Sequence, residues 1–209
     1  MSHILHIDSS PRGDRSISRA LSKEFITSWK AAHPHDTITY RDLGHYPVTF
    51  VSEDWIAAAY SSPEQHTPEQ ANAIATSNEL IDEFLAADRY VFGIPMYNFS
   101  IPANFKAYLD QIVRVGRTFS VDKQGYKGLV HNKKVMIITA RGGTYPDNSP
   151  THSYDRETPY LQLIFGFVGI TDIEFIHADG LNLGDEAQSH SIANAQSAIK
   201  TAIAISNKV

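Results

Sequence analysis

The chain contains no cysteine. That excludes disulfides, thiolate metal sites and cysteine nucleophiles. No apolar run approaches the roughly 20 residues needed to span a bilayer, so no membrane segment is expected. No run of basic residues is present, and 23 acidic against 18 basic side chains leave a net charge of −5, which argues against a nucleic-acid surface. Three well-defined signatures are also missing: the Gly-Lys-Ser/Thr of a Walker loop, the dinucleotide Gly-x-Gly-x-x-Gly, and the Gly-x-Ser-x-Gly of an α/β hydrolase. There is no internal repeat. The N-terminus enters an apolar stretch within three residues, so no signal peptide is expected and the cytoplasm is the expected compartment.

What is present begins with His3–Asp8, apolar and β-branched, which reads as a buried strand. A hydroxyl-rich turn follows, with Ser9, Ser10, Pro11, Gly13 and Asp14. From Ser16 on, Ile17, Leu21, Phe25 and Trp29 recur every four residues and mark one helix face. A strand therefore feeds a serine loop, and the loop feeds a helix N-terminus. Free N–H groups and the positive end of the helix dipole favour an anion there. Ser10, Ser16 and Ser18 add hydroxyls, a lining that suits a terminal monophosphate better than a bridging pyrophosphate.

The chain of 209 residues, 42% hydrophobic, is long enough for one α/β domain over residues 1–209. The first helix should end near Pro34. Residues 37–42 alternate as an edge strand, Gly44–Pro47 is a turn, and residues 51–60 form a short helix. Thr67, Pro68 and Gln70 supply a cap, a first-turn proline and the reciprocal capping residue for a helix running to about Ala87. Residues 89–94 read as a central strand. It ends in Pro95-Met-Tyr-Asn-Phe-Ser-Ile-Pro102, two aromatics and an amide held between prolines. A helix follows, with Phe105, Tyr108, Leu109, Ile112 and Val113 inward. Gly116–Gly128 reads as an inserted hairpin, and residues 133–139 as the fourth strand, ending in Ala140-Arg-Gly-Gly143. Thr144–Glu157 is a long polar rim. The helix opening at Thr158-Pro159 is apolar nearly all round and requires burial on more than one side, against the sheet and against a second subunit. Residues 173–176 make the fifth strand, and a last helix spans about Asp185–Ser206.

Strands alternating with helices imply a doubly wound parallel sheet, here five-stranded in the order 2-1-3-4-5 with helices on both faces. Ligands of such sheets lie outside the carboxyl ends of the strands. Three loops should meet there: Ser10–Ser18, Met96–Phe99 and Ala140–Gly143. Hydroxyls and N–H groups for a phosphate, aromatics and an amide for a flat ring, and glycine N–H groups for its polar edge together match FMN.

On Ser9-Ser10, Ser16-Ile-Ser18, Pro95-Met-Tyr-Asn-Phe99, Arg141-Gly-Gly143, Pro159-Tyr-Leu161 and Phe165-Gly-Phe-Val-Gly-Ile170, the chain resembles the FMN-dependent NADH-azoreductases, also described as NADH:quinone oxidoreductases, of the flavodoxin-like superfamily. The likeness covers essentially the whole length. It implies that Ser10, Ser16, Ile17 and Ser18 bind the FMN phosphate. It further implies that Met96, Tyr97, Asn98, Phe99, Ala140, Arg141, Gly142 and Gly143 hold the isoalloxazine. Ala140 stands where members often carry serine. The resemblance also implies NADH as electron donor, quinones and aromatic azo compounds as acceptors in a ping-pong order, and a homodimer with sites at the interface. Phe119 of the hairpin would face the partner's flavin, and Tyr145 of the rim would meet substrate. No side chain is expected to act as catalytic acid or base, since the flavin N5 carries the chemistry.

Other residues have plainer expectations. None of the ten histidines sits in a metal-ligand pattern: His33 and His35 should be solvated, and His3 and His6 should be satisfied structural groups. Lys106 and Arg114 should face solvent or pair on a helix, and Trp29 and Trp55 should pack. Two other classes use part of the pattern. An electron carrier of the flavodoxin type would show no steady NADH oxidation, and a flavin-free hydrolase or phosphatase using the serine loop would be colourless.

Overall fold

The computed structural model describes residues 1–206. Five parallel strands form its sheet: β1 (His3–Asp8), β2 (Thr37–Asp42), β3 (Arg89–Pro95), β6 (Lys134–Ala140) and β7 (Asp172–Ala178), in the order β2-β1-β3-β6-β7. Counting only these strands, the order is the expected 2-1-3-4-5. A separate antiparallel hairpin, β4 (Phe119–Asp122) with β5 (Gly125–Gly128), is inserted before β6.

The strand sequences explain the layering. Leu5 and Ile7 of β1 point to one face, and Ile4, His6 and Asp8 to the other, because side chains alternate along a strand. On the first face lie α3 (Pro68–Ala86), α4 (Ala103–Ile112) and α5 (Glu157–Val168), around Phe84, Tyr90, Phe92, Phe105 and Phe165. On the second lie α1 (Ile17–Ala32) and α6 (Asp185–Ser206), which bury Leu21, Phe25, Trp29, Ala195 and Ile199. A short α2 (Glu53–Ala59) packs Trp55 against Ile74 of α3. It is narrower than the sequence suggests, because Ser52 caps it by accepting from the Trp55 N–H. The capping box of Thr67 and Gln70 is formed in both directions. No described helix is long and apolar enough to cross a membrane.

Several expectations need correction. Arg114 does not face solvent: it is buried and donates to Ser77 Oγ (2.8 Å) and to Asn78. Lys106 does pair on its helix, with Asp110. His3 is satisfied by Thr39 (2.9 Å), but the buried His6 Nε2 has no hydrogen-bond partner among the described residues and stands 3.5 Å from Asp8. His33 is packed rather than solvated, its ring 4.4 Å from that of Trp29. In this chain α5 has one side covered, and the second covering stays an expectation. Leu161, Phe165 and Val168 are inside, while Leu163 is 68% exposed.

Candidate functional site

Because β1 pairs with β3 and β3 with β6, the bends that follow these three strands have to be neighbours. Bonds across the strand ends fix them together: the Ser9 N–H donates to the Gly93 carbonyl (3.1 Å), and the Met96 N–H to the Ala140 carbonyl (3.0 Å).

The first bend is lined by donors. Ser10, Ser16 and Ser18 are all buried. Ser16 Oγ caps α1 by accepting from the Arg19 N–H (3.4 Å) and shares a hydrogen bond with Ser18 Oγ (3.1 Å). The backbone N–H groups of Ser10, Ile17 and Ser18 have no acceptor among the described residues. The Ile17 side chain packs against the core beneath α1, so its contribution here is its N–H. Unpaired N–H groups, hydroxyls and a helix N-terminus in one place make an anion cradle.

The second bend carries the aromatics. Tyr97 and Ser100 exchange both backbone hydrogen bonds (2.9 and 3.1 Å) across a tight turn. Its central residues, Asn98 and Phe99, have φ of 48° and 70°. Left-handed backbone suits asparagine and strains phenylalanine, by on the order of 1–2 kcal/mol. The turn presents Tyr97 and Phe99 outward, 38% and 50% exposed, with Met96 half-buried at its base. Phe99 is not alone there. Its ring centroid lies 5.4 Å from that of Tyr154, and its carbonyl accepts from the Arg156 N–H (3.0 Å), so the rim is tied to this bend.

The third bend offers backbone. Ala140 ends β6 opposite Pro95. The carbonyls of Gly142 and Gly143 accept from the N–H groups of Asn182 (3.1 Å) and Gly180 (2.8 Å), while their own N–H groups have no acceptor among the described residues. A Cβ on Gly142 would stand 2.5 Å from Asn182 Nδ2, so a side chain there would have to displace that amide. The Arg141 side chain is turned away from the bend. It is 4% exposed and donates to Asp179 (2.5 and 2.7 Å) and Asp155 (2.8 Å), while its backbone N–H donates to the Ala178 carbonyl (2.8 Å) and its carbonyl accepts from the Leu181 N–H (3.1 Å). Tyr145 lies with its ring over the Arg141 guanidinium (5.2 Å) and its hydroxyl against Gly143.

This ion cluster sets the electrostatics behind the third bend. Burial pushes Asp155 up, but the N–H and hydroxyl of Thr158 and the Arg141 charge outweigh it and hold the carboxyl below its usual range. Burial raises Glu157 well above the ordinary carboxylate range, against the pull of the Arg141 charge. Burial first and Arg141 second push His177 down to about 4.

Phe119 is not brought to the three bends. Its ring rests on Phe167 (4.8 Å) and lines a separate hollow of about 390 Å³ with Trp55, Tyr60, Tyr160 and Ile164. Sequence reasoning missed Tyr154, Asp179 and Glu157, which sit in a polar rim or beyond a strand end with no motif around them. It also missed Arg19 and Asn104, whose side chains reach the first bend from α1 and α4. A signal existed for Asp155: an acidic residue three before Thr158-Pro159 marks a helix start, and its carboxylate accepts from the Glu157 and Thr158 N–H groups. The donor set at the first bend fits a phosphate. Exposed aromatics beside free glycine N–H groups fit a flat ring with a polar edge.

A family model described as the flavodoxin-like fold matches residues 2–203. An FMN-dependent NADH:quinone oxidoreductase of Trichormus variabilis is 66% identical over 98% of this chain and 99% of its own length. One from Pseudomonas fluorescens is 44% identical over 93% of this chain and 96% of its own. Among solved structures, an azoreductase from Bacillus anthracis superimposes with a TM-score of 0.90 at 30% identity, covering all of both chains. An FMN-dependent NADH-azoreductase from the same organism, in complex with FMN, gives 0.89 at 26% identity over 98% of each.

Proposed function

The chain belongs to the flavodoxin-like family of FMN-dependent NADH:quinone oxidoreductases, and from that premise we propose that it passes a hydride from NADH through bound FMN to quinones and aromatic azo compounds. When bound, FMN supplies the two-electron chemistry for both half-reactions, with the donor leaving before the acceptor stacks on the same face. The chain's own residues bind and orient. Ser10, Ser16, Ile17 and Ser18 hold the phosphate through hydroxyls and N–H groups, at the positive end of α1. Met96, Tyr97, Asn98 and Phe99 flank the ring, and the bend of Ala140, Arg141, Gly142 and Gly143 borders its polar edge. Free N–H groups at Gly142 and Gly143 favour negative charge developing on that edge. Tyr145 and Tyr154 bound the slot on the rim side, which excludes water and sets which flat acceptors enter.

A second copy of the chain completes the assembly in this reading. The open side of α5 and the hairpin around Phe119 form its contact, which brings Phe119 to the partner's site. The cytoplasm, where NADH is held, is the compartment. One observation carries the proposal: three bends, each presenting the groups one part of FMN needs, stand at adjoining strand ends. The test is to load the purified chain with FMN, record absorbance near 450 nm, and follow NADH oxidation with and without a quinone and an azo dye. Yellow protein with acceptor-dependent turnover supports the reading. Colourless protein after gel filtration from excess FMN overturns it, and yellow protein with no turnover reduces it to a carrier.

A further inference from the structure

The first bend needs more than donors on its inside. Its carbonyl oxygens, which carry partial negative charge, must be held pointing away from an anion, and two side chains do so from behind. Arg19 Nε donates to the Ser10 carbonyl (2.7 Å), and Asn104 Nδ2 donates to the Ser9 carbonyl (2.8 Å). Arg19 also closes the bend. Its own N–H is bonded to Ser16 Oγ while its side chain reaches back to Ser10, so one residue ties both ends of the loop. The guanidinium is fixed by a fork to both oxygens of Asp42 and by a bond to Tyr40 Oη (3.0 Å), and it is nearly buried. Asn104 reaches the loop from the start of α4, directly after the aromatic bend, and its amide also donates to the Leu43 carbonyl (2.9 Å). There is no slack in this packing. A Cβ on Gly44 would lie 2.1 Å from the Ser10 carbonyl oxygen.

We propose that Arg19 and Asn104 are positioning residues that turn the Ser9 and Ser10 carbonyls outward and so give the loop its selectivity for the phosphate of FMN over the phosphate-free flavin. The inference rests on the FMN reading above and assigns a role to two side chains that do not line the loop's interior. An anchor that sets carbonyl orientation acts on the phosphate alone, because the ring is held by the other two bends. A merely structural anchor weakens every flavin equally. An unaided carbonyl is free to turn inward, replacing a donor by an acceptor at the anion.

The experiment is fluorescence titration of the purified apoprotein with FMN and, separately, with riboflavin, for the native chain and for Arg19→Met, Arg19→Lys and Asn104→Leu. The native chain is expected to prefer FMN. Arg19→Met and Asn104→Leu should each weaken FMN by about tenfold or more and leave riboflavin within about twofold. Arg19→Lys keeps the charge but not the fork, and should recover only part of the loss. Equal weakening of both flavins, or no weakening of FMN in folded variants, overturns the proposal. Full recovery in Arg19→Lys overturns the carbonyl-turning role in favour of charge alone. Where a variant fails to fold, Asp42→Asn, which frees Arg19 from its fork, carries the same FMN-against-riboflavin comparison. A native chain that binds no FMN defeats the functional reading itself, a result distinct from loss confined to the variants, and this inference falls with it.

Discussion

Glu157 is completely buried in the charge field of Arg141, and neither of its carboxyl oxygens makes a hydrogen bond among the described residues. The reason lies in Arg141, whose donors are spent on Asp179, Asp155 and Thr158. Burial raises the Glu157 carboxyl, so the folded state keeps a proton that the unfolded chain releases above its ordinary range near 4.5. Stability must therefore fall as pH rises through that point, until the folded carboxyl also ionises. Glu157→Gln removes the proton exchange and keeps the shape. Urea unfolding at pH 5 and pH 8 should show the variant gaining on the native chain as pH rises. An unchanged difference between the two pH values would mean Glu157 ionises normally in the fold.

His177 titrates in the opposite sense. Burial and the nearby Arg141 hold it down to about 4, against an ordinary 6.5, while Nδ1 is engaged with Thr139 Oγ1 at 2.7 Å. Above pH 6.5 both states are neutral and the contribution is complete. Between about 6.5 and about 4 the unfolded chain takes up a proton that the folded chain refuses, so stability is lost as pH falls. The full difference is on the order of 3 kcal/mol. His177→Gln should flatten this part of the profile. Asp155, facing the same cluster with a lowered pKa, loses its contribution only below its ordinary 3.8 and leaves that window clear.

The sheet was legible because its signals are local and repeat. The run Ile17, Leu21, Phe25, Trp29, four residues apart, marks one helix face, and the Thr67–Gln70 box is a start signal that no tertiary contact alters. The three bends were legible because strand order alone makes them neighbours. What was hidden depends on long-range contact. Arg19 reads as one more surface cation on α1 until β2 places Asp42 and Tyr40 beside it. Arg141 reads as a loop cation beside a ligand, yet Asp155 and Asp179, 14 and 38 residues away, pull its side chain inward. Arg114 reads as exposed because its helix partners, Ser77 and Asn78, lie on α3.

Asn98 separates backbone from side chain in one position. Its φ of 48° is a conformation glycine takes freely and alanine takes at a cost of about 1 kcal/mol. Its amide makes no hydrogen bond to the described residues. Asn98→Gly therefore keeps the turn and deletes the amide, while Asn98→Ala also strains the turn. If the amide meets the flavin ring, both variants weaken FMN and slow its reduction by NADH, and only Asn98→Ala also lowers the melting temperature. Native affinity in Asn98→Gly would remove the amide from the site.

Leu163 tests the assembly. It stands on α5 at 68% exposure, while Leu161 and Phe165 on the same helix are buried, and the neighbouring hairpin exposes Tyr126 and Val121. A helix with so little polar surface is stable in water only if something covers its outer side. A second copy of this chain does so in the proposed dimer. A carboxylate in the middle of that contact would be desolvated without a partner, which costs far more than the lost methyl groups. Leu163→Glu should therefore leave the monomer fold intact, since the side chain points to solvent there, and shift sedimentation or light scattering from dimer toward monomer. Quinone-dependent NADH oxidation should fall with the dimer fraction and recover as protein concentration rises, because in the proposed dimer Phe119 of each copy reaches the other's site. A variant that stays dimeric would place the contact on another surface, and a native chain that is monomeric and fully active would remove the dimer from the mechanism.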